Sequence, residues 1–152
     1  MRFIIPGTPV PKGRPIFSRF NHIARTPEKT KRFEEQVRLA ARVAGQHYGD
    51  LPCVAIVTSV FEPPASWSKK QRTLAMDGIR PHVSRPDADN LTKAVLDGMN
   101  GEVINDDARL VGVVCMKRYG PVAQTIVEIL PLPDGMATAD LVIEMLGGKH
   151  DG

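Results

Sequence analysis

The chain has little of what soft metals, disulfides or membranes require. Its 152 residues include two cysteines, Cys53 and Cys115, with no C-x-x-C spacing. That speaks against a zinc site and against a disulfide framework. Each cysteine lies in an apolar, strand-like run and reads as a buried thiol. Aromatic residues are only 5% of the chain, and Trp67 is the one tryptophan. No stretch approaches the ~20 consecutive apolar residues of a membrane span. The opening MRFIIPGTPVPKG is broken by prolines, with no small-residue cleavage site after it. It does not read as a secretion signal, so the expected location is the cytoplasm. Internal repeats and low-complexity tracts are also missing.

What is present is an ordinary globular composition, 42% hydrophobic and 24% charged. A chain of this length forms one core and buries roughly 68–70% of its unfolded surface. The net charge is +3, but unevenly spread. Residues 1–45 hold ten Lys/Arg against three Glu, whereas residues 121–152 hold one Lys against five acids. A second basic cluster, SKKQR, occupies 68–72. Such asymmetry suggests a polyanionic partner, although charges on a helix are often only a solvated face.

The pattern of elements predicts an α+β domain on a mixed or antiparallel sheet, packed with two main helices. RFIIP (2–6) reads as a short strand, and the Gly-, Pro- and Arg-rich 7–25 as a loop or irregular hairpin. The first helix should be capped by Thr26, with Pro27 at its first position and Gly45 at its end. Phe33, Val37, Ala40, Ala41 and Ala44 form its apolar stripe. CVAIVTSVF (53–61) is nearly all apolar and reads as a central strand. A short helix through KKQRTLAM follows, capped by Ser66 or Ser68, and a second long one from Asn90 to Met99. Residues 108–119 and 123–132 read as strands, and the short GPV link between them predicts an antiparallel hairpin. The domain is expected to occupy 1–131. The tail, 132–152, reads as uncertain, with a short amphipathic helix or an edge strand over 137–148.

The chemistry concentrates in RPDADNLTKAV, 85–95. Arg85 precedes a proline and is pushed out of the helical region. An extended Pro86–Asp89 places Asp87 and Asp89 on one side of the chain. Lys93 follows one turn after Asp89, and Asp97 a turn later. Asp106 and Asp107 open the turn into the next strand, which is expected to return them beside Asp87 and Asp89. Crowded carboxylates need a cation, and an all-oxygen set suits Mg²⁺ or Mn²⁺. A metal-activated water next to a phosphate is the chemistry of phosphodiester cleavage. Lys93 is placed to stabilise charge at the reacting phosphorus or the leaving oxygen. Taken singly, each part has a plainer explanation: Asp89 caps a helix, Lys93 and Asp97 pair at i,i+4, and DDA is a turn. A calcium-binding EF-hand is excluded, because the sixth and twelfth positions from Asp87 are Thr92 and Gly98.

RPDADNLTKAVLDGMNGEVINDDARL, 85–110, resembles the signature of the RusA family of Holliday-junction resolvases, R/K-P-D-x-D-N-L-x-K, then a D-G step, then a D-D pair before a strand. Arg85, Pro86, Asp87, Asp89, Asn90, Leu91, Lys93, Asp97, Asp106 and Asp107 carry the match; Met99 stands where a leucine is commoner. IPGTPVPKGRPIFSR and TPEKTKRFEEQVRLAA resemble the opening of phage- and prophage-borne members, and SWSKKQR also has family counterparts. The likeness spans roughly residues 1–130 and has no counterpart after Pro131. It implies a RusA-like fold and a homodimeric, Mg²⁺-dependent endonuclease (Mn²⁺ substituting) that nicks opposing strands of four-way DNA junctions. By position it makes Asp87, Asp89 and Asp107 the metal-binding aspartates and Lys93 the catalytic lysine, with Asp106 an acidic neighbour in the same metal set. A two-fold dimer would supply the two sites that paired nicks need. Lys12, Arg14, Arg19, Arg25, Lys69, Lys70 and Arg72 are candidate phosphate contacts. Phe17 and Trp67 are candidates to stack on unpaired bases, and His82 reads as a structural hydrogen-bonder. Two other readings remain: a broader flap or fork nuclease, and a non-catalytic DNA-binding protein.

Overall fold

The computed structural model describes residues 1–20 and 23–147; His22, His150 and the end of the tail lie outside the described residues. The main sheet has four strands in the order β1-β6-β4-β5: β1 (Arg2–Pro6), β4 (Cys53–Phe61), β5 (Leu110–Tyr119) and β6 (Gln124–Pro131). β2 (Ile16–Phe17) and β3 (Ala24–Arg25) form a separate two-stranded ribbon. Helices α1 (Glu28–Ala44), α2 (Lys69–Met76), α3 (Ala88–Met99) and α4 (Thr138–Gly147) complete an α+β architecture on a mixed sheet.

β4 is central because its apolar run is buried on both faces. It pairs antiparallel with β6 and parallel with β5. The expected β5–β6 hairpin is therefore not formed: β4 lies between the two strands. The link through Gly120 steps over the end of β4, a gap of about 10 Å that four residues span easily. Gly120 donates its N–H to the Phe61 carbonyl (2.9 Å). A Cβ there would lie 2.5 Å from Val60 Cγ1, so only glycine passes this close.

One face of the sheet carries the main core, with Phe33, Val37 and Ala41 of α1 and Ala94, Val95 and Met99 of α3 packed on Phe3, Ile5, Ala55 and Val57. α1 starts one residue later than expected, with Pro27 in the cap position and no side-chain cap. α1 and α3 approach closely at Gly98, where a Cβ would sit 2.7 Å from Val37 Cβ and 2.8 Å from the Glu34 carbonyl. On the other face Leu141 and Met145 of α4 cover Val54 and Ile56, so the tail contributes a helix to the packing. Cys53 is buried as expected, but Cys115 is exposed. Cys115 lies on β5, an edge strand that also leaves Val111 and Val113 exposed.

Candidate active site

The segment before α3 decides how the aspartates are presented. Asp87 is extended (φ −71°, ψ 144°) and occupies the cap position, yet its carboxylate makes no capping hydrogen bond. The helix begins at Ala88, two residues earlier than expected, so Asp89 lies in its first turn rather than in extended chain. The two carboxylates thus flank the positive end of the helix dipole, which favours anions there. Lys93, one turn on, is exposed, while Leu91, Thr92, Ala94 and Val95 are buried. The acidic and basic groups accordingly share the solvent face of α3.

Asp87 opens onto a cleft of about 620 Å³ whose walls include Lys12, Arg14, Lys29, Phe61, Arg85 and Asn90. Arg14, Lys29 and Arg85 around one carboxylate give this cleft a positive balance. Lys12 is anchored within it. Its N–H donates to the Asn90 carbonyl (2.9 Å), and its ammonium bridges Glu34 (2.6 Å) and Asp97 (2.7 Å). Burial opposes the charge, but the bonds to Asp97 and Glu34 outweigh it and hold Lys12 above the usual lysine range. Asp97 therefore pairs with Lys12, which also reaches Glu34 of α1, rather than with Lys93.

The second acidic pair lies elsewhere. Asp106 accepts a hydrogen bond from the Ala108 N–H (2.8 Å), which holds its carboxyl below the usual range; the bond it shares with Asp107 adds to this. The same shared bond, with burial and the charges of Asp106 and Asp97, pushes Asp107 up. The acid of α3 that acts on Asp107 is thus Asp97, near the helix's C-terminal end. The far end of β5, by contrast, touches the segment before Asp87: Lys117 donates to the carbonyls of Ser84 (2.8 Å) and Pro86 (2.9 Å). From Leu110 to Lys117 the strand rises about 23 Å. The expected return of Asp106–Asp107 to Asp87 within one chain does not occur. Among the described residues no group of three or more His, Cys, Asp or Glu is gathered to hold a metal ion.

The remaining candidates divide by what they already touch. The Arg72 guanidinium donates to the Pro64, Ala65 and Trp67 carbonyls (3.2, 3.0 and 3.3 Å), fastening the loop ahead of α2. Ser68 caps α2 through a full capping box with Gln71. Lys69 and Lys70 are exposed on α2, and Arg14, Arg19 and Arg25 are exposed on and beside the ribbon. Trp67 is engaged: Arg80 lies 3.9 Å over its ring and Tyr119 meets it edge-on at 5.1 Å. His82 is buried, stacks on Phe61 (4.3 Å) and meets Tyr119 at a tilt (4.8 Å). Its Nδ1 finds no hydrogen-bond partner. Burial, and then the charge of Lys117, hold it below the usual histidine range. Sequence reasoning missed Lys117 and Lys29. The signal for Lys117 was a lysine directly after the apolar run LVGVVCM, within the same strand.

These parts match a known family. The profile of the family described as endodeoxyribonuclease RusA matches residues 6–130. The chain is also 34% identical over 128 residues to the uncharacterized protein YqaN of Bacillus subtilis (strain 168), covering 78% of this chain and 87% of that protein. With a profile match that takes in the central strand, the acidic helix start and the basic cleft, this chain belongs to the RusA family and is an endodeoxyribonuclease, a hydrolase acting on DNA.

Proposed function

We propose that this endonuclease resolves four-way DNA junctions as a homodimer, using Mg²⁺ (or Mn²⁺) and making paired, symmetric nicks in the cytoplasm. The observation that carries the reading is the split of the acidic set between the two ends of α3. Asp87 and Asp89 suit a hard cation, which accepts one or two carboxylates together with phosphate oxygens. Asp106 and Asp107 carry the same donor chemistry, but α3 is about 18 Å long, more than one ion spans. A two-fold partner running antiparallel along the open edge of β5 brings its Asp106–Asp107 end to this chain's Asp87–Asp89 end. The exposed Val111 and Val113 on that edge support such a contact. Asp87 and Asp89 of one copy, with the partner's Asp106 and Asp107, would then hold the ion, and there are two such sites per dimer.

When bound, the ion supplies an acidified water and a counter-charge for the phosphate. The chain's own residues do the rest. Arg14, Lys29 and Arg85 draw a phosphodiester into the cleft. Lys93, exposed beside Asp89, faces charge that develops on the leaving oxygen. Lys12, held by Glu34 and Asp97, fixes the cleft wall more than it contacts DNA. Arg19, Arg25, Lys69 and Lys70 extend the basic surface for the arms.

The test is complementation. Asp87→Asn and Asp107→Asn are each expected to bind a four-way junction and not cut it with Mg²⁺. Subunit-exchanged mixtures contain mixed dimers with one intact site, and regain single-strand nicking. Mixtures that stay inactive, while each variant still binds DNA as a dimer, sink the shared site. Cutting of flaps as fast as junctions would broaden the substrate.

A further inference from the structure

The ribbon formed by β2 and β3 is out of keeping with the rest of the molecule. It is a two-stranded sheet of its own, pairing Ile16 with Arg25 and Phe17 with Ala24. Its side chains turn to solvent: Ile16 is 61% exposed, Phe17 69%, Ile23 54% and Phe20 98%. Isolated two-stranded ribbons are marginal in water, and a cluster of exposed apolar side chains marks a contact surface. The surrounding charge names the partner's sign: residues 7–27 carry Lys12, Arg14, Arg19 and Arg25 and no acid.

The root of the ribbon is fixed to the catalytic helices. Gly13 donates its N–H to Thr30 Oγ1 (3.1 Å), and Thr30 donates to the Pro11 carbonyl (3.4 Å). Lys12 ties the same segment to α3 at Asn90 and Asp97. Arg14 lines the Asp87 cleft. At no more than about 3.3 Å per residue, Phe17 lies within about 10 Å of Arg14 and Phe20 within about 20 Å. Those reaches are a few nucleotide steps.

We propose that this ribbon is a base-stacking arm: Phe17 and Phe20 pack on bases left unpaired at the branch point, while Arg19 and Arg25 hold the adjoining phosphates. Aromatic faces accept any base, and cations beside them follow the backbone. A fully paired duplex offers no such faces. The arm therefore selects branched over linear DNA without reading sequence. Trp67, the other stacking candidate, cannot share this role because Arg80 and Tyr119 occupy it. The assignment rests on the proposed action on branched DNA.

The experiment uses the full chain, a four-way junction with 2-aminopurine at its branch, and a linear duplex of the same sequence. The Phe17→Ala/Phe20→Ala variant folds normally, since both rings are exposed. It is expected to lose about tenfold or more in junction affinity, to lose the 2-aminopurine fluorescence change given by the parent, and to keep its duplex affinity. Phe17→Trp/Phe20→Trp restores both signals, and Phe17→Leu/Phe20→Leu does not. If the parent prefers and cuts the junction and the alanine variant does so equally, the arm is overturned and the proposed function stands. If the parent shows no preference for the junction, both fall. If the alanine variant dissociates from dimer to monomer in sedimentation, the ribbon joins two copies of the chain and the stacking assignment is wrong.

Discussion

Lys117→Met is the most informative single change outside the acidic residues. The substitution keeps an unbranched stem in β5 and removes the ammonium that donates to Ser84 and Pro86 at 2.8 and 2.9 Å. Hydrogen bonds from a charged donor contribute about 1.5–3 kcal/mol each. The bond to Ser84 is exposed, so water replaces much of it, and the lower end applies. Together the two bonds amount to about 2 kcal/mol. They act on the segment that delivers Asp87, so the cost is paid chiefly in local order. At 1.4 kcal/mol per factor of ten, the loop spends roughly 10–30-fold less time in its cutting geometry. Single-turnover cleavage of a four-way junction should fall by that factor, with junction affinity within about twofold of the parent. A second readout separates this from general damage. Burial and the Lys117 charge both depress the His82 pKa, so removing the charge should move the His82 NMR titration upward, toward but not to its ordinary value. A buried neutral histidine stabilises above its unfolded pKa and loses that contribution as pH falls through its folded one. With a smaller depression, the variant should therefore lose slightly less stability in mild acid through His82. Equal losses in affinity and cleavage would make Lys117 a phosphate contact, and unchanged cleavage would show that the two carbonyl bonds do not position Asp87.

Other perturbations test other joints. Gly98→Ala gains about 1 kcal/mol of helix propensity but forces its Cβ against Val37 and the Glu34 carbonyl; a net loss of about 1–3 kcal/mol is expected, and an undiminished melting temperature would refute the close α1–α3 approach. His47 donates to the Glu102 carbonyl (2.9 Å) and Asn105 (3.0 Å), bonds that raise its pKa above 6.5. The charged ring fastens the 102–105 turn below pH 6.5 and releases it as pH rises through the folded pKa, so hydrogen exchange there, corrected for intrinsic rate, should rise between pH 6 and 8 in the parent and stay flat in His47→Gln. The Lys12 contribution is full below its unfolded value near 10.5 and lost as pH rises through the raised folded value, so the stability gap between the parent and Lys12→Met should close only in strong alkali. Cys115, exposed on the open edge of β5, should cross-link two copies through a short bis-maleimide if β5 edges meet about a two-fold axis; Cys115→Ser should abolish the product, and a monomeric product pattern in the parent would exclude that edge.

The elements themselves were legible because their causes are local. The Phe33–Val37–Ala41 stripe, the Ser68–Gln71 capping box and the uninterrupted apolar run of β4 each announce one helix or strand. Pairing was not legible in the same way. A short link after Tyr119 looks like a hairpin whether or not a third strand fits between, and only the two-sided burial of β4 decides it. Cys115 was misjudged for the same reason: an edge strand and a central strand share a composition, and exposure follows from which neighbour is missing.

The site divides along the same line. Asp87, Asp89 and Lys93 are within seven residues of one another, so their grouping at a helix start follows from the chain's own geometry, although the onset of α3 was placed two residues late. Asp106 and Asp107 are joined to them only through a helix and a turn. A single helix followed by a strand running back along it must leave the intervening turn at the helix's far end; no choice of side-chain rotamer shortens about 18 Å to a ligand distance. The same separation makes sense in pairs. Four carboxylates gathered in one chain would repel during folding, with no cation yet bound to offset them. Dividing them between the ends of α3, with Lys12 neutralising Asp97 in between, lets each chain fold without the ion. In the proposed dimer the acidic set closes only when two copies meet, which would confine cutting to the assembly that can make both nicks.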